Sequence, residues 1–146
     1  EKIFDPLLGK SLVLYFKKAG VIIEGFIHHT AMISKSAKLG VGNIISPYVI
    51  VGPKAQLGSH NFLNFHCFVA HDCEIGSGNI LSPNIQITGH TQVGDFNFFG
   101  VSSGTKPLLK IGNFNKIQAG IIVDKNISDN SIVFNLEKIK KRIMFQ

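Results

Sequence analysis

Apolar residues recur at every sixth position of this chain from Ile27 onward. The series runs Ile27, Ile33, Leu39, Ile45, Val51, Leu57, Leu63, Val69, Ile75, Leu81, Ile87, Val93, Phe99, Thr105, Ile111, Ile117 and Val123. Of these 17 positions 16 are apolar and 15 aliphatic, and the frame never slips. At the chain's own 45% hydrophobic content, chance would place only about eight apolar residues there. A second period, spanning three of these steps, lies on top. It carries Gly40, Gly58, Gly76, Gly94 and Gly112, and with them Asn43, Asn61, Asn79, Asn97 and Asn115.

A six-residue step matches neither a helix face nor the alternation of a flat strand. It does suit a short strand followed by a turn. Three such sides close one triangular coil, and stacked coils give an all-β parallel β-helix with a continuous aliphatic core. Coils paired at a strand spacing of ~4.8 Å would make residues 27–128 a prism about 27 Å tall. Gly and Asn at the repeating corner are expected to supply the backbone angles of a tight turn. Stacked Asn side chains can bond one another along the prism. Thr105 breaks the apolar frame, and Pro107 beside it points to a bulged or looped side or to a tolerated irregularity. The open ends need caps. In residues 1–26, LVLYF and VIIEGF read as two short strands, either a lead or the remnant of a preceding domain. In residues 129–146, Leu136 to Ile143 reads as a short basic amphipathic helix.

Composition narrows the class. The chain has 146 residues, enough for one domain, and only 16% are charged. No apolar run nears the ~20 residues of a membrane helix, and no secretory signal pattern is present. Cys67 and Cys73 do not make a disulfide framework; both sit where small residues recur and are expected to pack in the core. A reducing, cytoplasmic setting is the simpler reading. The net charge of +6 suits a polyanionic ligand, with Lys106, Lys110, Lys116 and Lys125 on the later coils. No nucleic-acid motif accompanies the aromatics. Phe62, Phe65, Phe68, Phe96, Phe98, Phe99 and Phe114 cluster in the middle and later coils, several off the inward frame, and read as subunit contacts.

The sharpest chemical signal is Asn64 to Gly76, NFHCFVAHDCEIG. A His beside a carboxylate can serve as a general base near neutral pH. Gly89, one coil after His71, leaves a gap above the imidazole, and Asp72 and His90 share one face of the stack. His66 and His71 also have the spacing of a metal pair. A third ligand two coils earlier would fall at Thr30, with His29 one residue off.

The hexapeptide frame together with HDCEIG, ISPYVIVGPKAQLG (Ile45 to Gly58) and the LSPN turn (Leu81 to Asn84) resembles the hexapeptide-repeat acyltransferases. Within them it is similar to the sialic acid O-acetyltransferases and the nucleotide amino-sugar N-acetyltransferases, over about residues 26 to 123. The resemblance implies a left-handed parallel β-helix and acetyl transfer from acetyl-CoA to an amino or hydroxyl group of a nucleotide-linked sugar. It implies a homotrimer with active sites between prisms; no resident metal, nucleic-acid partner or membrane association is expected. His71 maps onto the base, Asp72 onto its orienting acid and Asn64 onto a substrate contact. Gly89, Val101, Ala119 and Gly120 map onto the acetyl-CoA arm. Two departures stand out. Ile80 occupies the place of a second His that helps hold the acetyl group, and residues 1–26 lack the Gly-rich nucleotide-binding turn. Either a preceding segment lies outside this chain or the acceptor differs. Two alternatives remain: a metal hydratase like the γ-class carbonic anhydrases, and a non-catalytic solenoid scaffold.

Overall fold

A computed structural model describes residues 6–135. Among them one helix, Pro6–Lys18, precedes 18 two-residue strands. The strands form three parallel sheets of seven, six and five members, one for each side of a triangular solenoid. The first side begins at Phe26–Ile27, the second at Met32–Ile33 and the third at Lys38–Leu39. Each strand lies in register with its counterpart one coil on: Phe26 with Ile44, Met32 with Ile50, Lys38 with Gln56. The all-β parallel β-helix expected from the six-residue frame is what the chain forms.

The second residue of each strand points inward. From Ile45 to Val123 every position of the six-residue series is buried, and Ile45, Leu63, Val69, Ile87, Phe99 and Ile117 are fully so. Each buried aliphatic stabilises the coil by about 1.5–3 kcal/mol. Thr105 belongs to the same row. It is buried in a regular strand, Gly104–Thr105, and bonds to Thr88 through backbone and hydroxyl. The side is neither bulged nor looped, because the hydroxyl finds partners inside.

A second inward row lies two residues earlier, where the Asn of the longer period sit. Asn43 Nδ2 donates to the carbonyls of Gly40 and Gly58, each at 2.8 Å. The Asn43 side-chain carbonyl accepts the Asn61 N–H at 2.8 Å. The same bond passes from Asn61 to the N–H of Asn79, from Asn79 to Asn97, from Asn97 to Asn115, and from Asn115 to Ser131. The expected Asn ladder is therefore real, but these Asn do not supply the turn's backbone angles. The left-handed residue of each turn is a different one, and it is Tyr48, Lys54, His60, His66, Asp72, His90 or Phe96 as readily as Gly42 or Gly78. The repeating glycines serve close approach instead: a Cβ on Gly58 or Gly76 would lie within 2.8 Å of the next coil's backbone.

The residue before the left-handed one has its N–H outside the ladder. At the third corner a side-chain oxygen one coil on accepts it, as in Ser59 N–H to Ser77 and Ser77 N–H to Asp95. At the other two corners Pro47, Pro53, Pro83 and Pro107 fill four of these positions, where no donor is needed, and Phe65, His71, Gly89, Val101 and Ala119 fill others. The coil runs on past residue 128 through Ile132–Val133, which pairs with Lys116–Ile117 at a shortened offset. On the third side this last coil keeps only a bridge from Ile111 to Ile127.

The N-terminal reading needs correction. LVLYF lies inside the helix Pro6–Lys18, and VIIEGF is irregular until Phe26. The helix has Pro6 at its start and Lys17 and Lys18 in its last turn. It closes with Val21 N–H on the Phe16 carbonyl and Gly20 N–H on the Lys17 carbonyl, Gly20 having φ 69°. It runs beside the third corner, with the Lys10 ammonium 5.1 Å from the Phe114 ring centre. Phe114 in turn stacks on Phe96. The expected helix from Leu136 to Ile143 lies outside the described residues.

The buried rows set two expectations. Asn79→Ala removes the acceptor of the buried Asn97 N–H, so urea unfolding should show a loss of about 1–3 kcal/mol. Gln92→Ala, on the exposed row, should stay within about 0.5 kcal/mol of the parent; equal losses would contradict the ladder's role. Burial pushes the Cys67 thiol up to about 11 and raises that of Cys73. Alkylation of either in the folded chain should be at least about a hundredfold slower than in denaturant.

Candidate active site

The turn between the second and third sides holds His71 and Asp72. Asp72 takes the left-handed position at φ 55°, and its N–H bonds to the Pro53 carbonyl below. The His71 carbonyl accepts the His90 N–H at 3.2 Å, so the backbone here is pinned from both sides. The His71 Nδ1 lies 2.9 Å from Asp72 Oδ2. With Nδ1–H donating, the lone pair sits on Nε2. That end of the ring lies over Gly89, where a Cβ would come within 2.9 Å of Cε1 and Nε2. The gap expected above the imidazole is thus filled by the imidazole itself.

The His71 side chain is 56% exposed and that of Asp72 35%. The hydrogen bond from His71 holds the Asp72 carboxyl below its usual range, with the charges of Lys54, His90 and His71 adding to it. His90 follows Asp72 by one coil, as the repeat required, and its ring meets that of His71 edge-on at 5.1 Å. Lys54 precedes Asp72 by one coil. Nothing in its local sequence marks it, although the coil repeat does.

The remaining expected residues lie one full side away. Asn64, Val101 and Ala119 line a groove of about 650 Å³ along the first side, with Phe62, Ile80, Phe98 and Lys116. Gly120 adjoins Ala119 at the turn, with φ 73°. Of the four positions mapped onto the acetyl-CoA arm, Val101 and Ala119 face this groove, Gly120 borders it, and Gly89 lies against the His71 ring one coil on instead. Neither Val101 nor Ala119 donates its N–H to another group among the described residues, so both donors stay available. Phe62 and Phe98 are half-buried groove walls, and Phe99 is core. Phe65 and Phe68 remain exposed on the chain.

The H-x4-H pair does not converge within one chain. His66 turns at the first corner and stacks on Tyr48 at 5.2 Å, while His71 is at the second. Cys73 points inward, its Sγ 3.2 Å from the Thr88 carbonyl, and offers no nucleophile to the His71 turn.

No protein-family model matches the chain, and no curated protein matches it significantly. Solved structures do. PerB from Caulobacter crescentus, in complex with CoA and GDP-perosamine, is 28% identical with a TM-score of 0.85. The match covers 95% of this chain and 68% of PerB. A histidine-to-asparagine variant of perosamine N-acetyltransferase from the same organism is 27% identical, also at 0.85, covering 96% and 67%. The acetyltransferase domain of PglB from Neisseria gonorrhoeae shares the fold at 21% identity and a TM-score of 0.78, covering 86% and 61%. This chain therefore spans about two thirds of their length. In fold and in sequence, the chain is similar to the hexapeptide-repeat sugar acetyltransferases.

Proposed function

We propose that this chain transfers an acetyl group from acetyl-CoA to an amino or hydroxyl group of a nucleotide-linked sugar. The observation that carries this reading is the His71–Asp72 pair seated over Gly89. Asp72 stays ionised and fixes the tautomer, so His71 Nε2 takes the proton that the acceptor loses as it attacks the thioester. The Gly89 N–H, which no group among the described residues accepts, is the donor for the developing oxyanion. Asn64 holds the acceptor. The N–H groups of Val101 and Ala119, with Gly120 beside them, bind the amide-rich arm of acetyl-CoA along the apolar groove. Similarity to acetyltransferases solved with CoA and GDP-perosamine supports the substrate class.

The base and the groove stand on different corners of one prism. A working site therefore combines His71 and Asp72 of one chain with the groove of a second copy, and a homotrimer supplies three such junctions. The exposed apolar residues about the first corner, Tyr48, Ile50, Phe65 and Phe68, support such packing. Ile80 accords with this arrangement: it lines the groove and not the His71 turn.

His71→Ala should lower kcat by about 10²- to 10⁴-fold and leave acetyl-CoA affinity unchanged. Unchanged turnover would remove His71 from the mechanism, and no acetyl-CoA binding at millimolar concentration would sink the whole reading. Gly89→Ala pushes the imidazole off its seat and should cost roughly ten- to a hundredfold in kcat without unfolding the coil. Mixing His71→Ala chains with groove-blocked Ala119→Trp chains, after unfolding and refolding together, should restore activity that neither has alone. Failure of this rescue, with both variants folded, would place the site within a single chain.

A further inference from the structure

The turn at the second corner brings together more metal-binding chemistry than a general base and its orienting acid need. Ring nitrogens of His71 and His90 and a carboxylate oxygen of Asp72 all lie within 4.8 Å of one another. They come from two successive coils. Asp72 and His90 occupy the same left-handed turn position, and His71 reaches the group from the preceding residue. Two backbone bonds fix this arrangement, Asp72 N–H to the Pro53 carbonyl and His90 N–H to the His71 carbonyl. The scaffold of the cluster is therefore rigid, while both imidazoles are exposed and have solvent on one side into which they can adjust once the His71–Asp72 bond is exchanged for a metal bond.

We infer that His71, Asp72 and His90 form a three-ligand site for a borderline transition-metal ion such as Zn²⁺, and that the ion inhibits the enzyme. A tetrahedral Zn²⁺ with bonds of about 2.0–2.1 Å sets its ligand atoms roughly 3.3 Å apart. Rotation of the two exposed rings closes the difference. Two imidazoles and one carboxylate select zinc, cobalt, nickel or copper over magnesium or calcium, which prefer all-oxygen shells. Three protein ligands leave a fourth position open to water. Lys54, one coil below Asp72, adds a positive charge, and no second-coordination partner for His90 exists among the described residues. Both features weaken the site and make its occupancy reversible, unlike that of a resident cofactor.

The inhibitory consequence rests on the acetyltransferase reading. A metal bound at His71 either occupies the Nε2 lone pair that would accept the acceptor's proton or displaces the Asp72 bond that sets the tautomer. Transfer stops in both cases. The acetyl-CoA groove lies one side away and carries none of the three ligands.

The test uses the full chain without a polyhistidine tag, first stripped with chelator. Calorimetric titration with Zn²⁺ and visible absorption with Co²⁺ should both report one ion per chain, released again by chelator. His90→Asn keeps a residue that tolerates a positive φ and should weaken binding at least about tenfold. His66→Asn, at the other corner, should leave binding unchanged. Zn²⁺ should abolish acetyl transfer in the parent chain at concentrations that saturate the site, while acetyl-CoA binding persists. Equal affinity in the parent and His90→Asn, both folded by circular dichroism, would overturn the site. So would binding lost in His66→Asn. Saturation with undiminished turnover would overturn the inhibition. Metal binding that follows His90 in a chain without any acetyl transfer would overturn the acetyltransferase reading and leave the metal site standing.

Discussion

The hydrogen bonds between successive coils hold this molecule together, and up to the last coil they work at one offset. Each ladder N–H there finds the carbonyl one residue short of a full coil ahead, as from Phe26 to Asn43 and from Ile44 to Asn61, and only in the last coil does the step shorten by two, as from Lys116 to Ser131. The Asn ladder repeats that demand inside the prism, since each Asn side-chain carbonyl accepts the N–H of the Asn one coil later. Such bonds are modest singly, but a buried donor left without its acceptor is costly. An insertion within a side would therefore disturb its own bonds and those of both neighbouring coils. The constancy of the six-residue frame over 17 positions is the sequence record of that constraint.

The same constraint decides where chemistry can reside. Along the sides, one residue of each strand goes to the core and the other to a stacked outer row. At the corners, two residues per turn project without a ladder partner on either side chain, and here the chain places His71, Asp72, Gly89 and His90. The coil repeat then converts a separation in sequence into contact. Gly89 gives room for the ring of His71, and His90 meets that ring edge-on, because all three occupy corresponding turns. A pair of turns on adjacent coils is thus rigid in its backbone and adaptable in its side chains, a suitable base for both an oriented imidazole and a reversible ligand set.

Most of the fold was legible because its period is written in aliphatic residues. Burial of Ile45 through Val123 follows the frame residue by residue. The stacking of His71, Asp72, Gly89 and His90 was legible for the same reason. What misled was local. LVLYF looks like a strand by propensity, yet Pro6 at the start, two lysines at the end and Gly20 in a left-handed closing turn make it a helix. Gly58 and Asn61 looked like turn residues, whereas their task is to let backbones approach and to bond inside the core. Thr105 looked like a break because its partners, Thr88 and Thr91, lie most of a coil away and cannot be paired by inspection. The groove along the first side was hidden because Phe62, Ile80 and Phe98 read equally well as a wall or as a subunit contact.

The four prolines of the solenoid bear on how the chain finds its shape. A stack of near-identical coils invites misregistered folding, since a slip that preserves inside and outside costs little in burial. Pro47, Pro53, Pro83 and Pro107 all stand at the one turn position whose N–H the ladder never uses. Most slips that are not a whole number of sides would carry a proline onto a strand residue, a ladder donor such as the Ser46 position or the left-handed residue, where its missing donor breaks a bond or its fixed φ does not fit. In the correct coil these residues make no hydrogen bond of their own and act only by restricting the unfolded chain. Their further effect falls on the wrong coils, which they raise in energy and so disfavour during assembly.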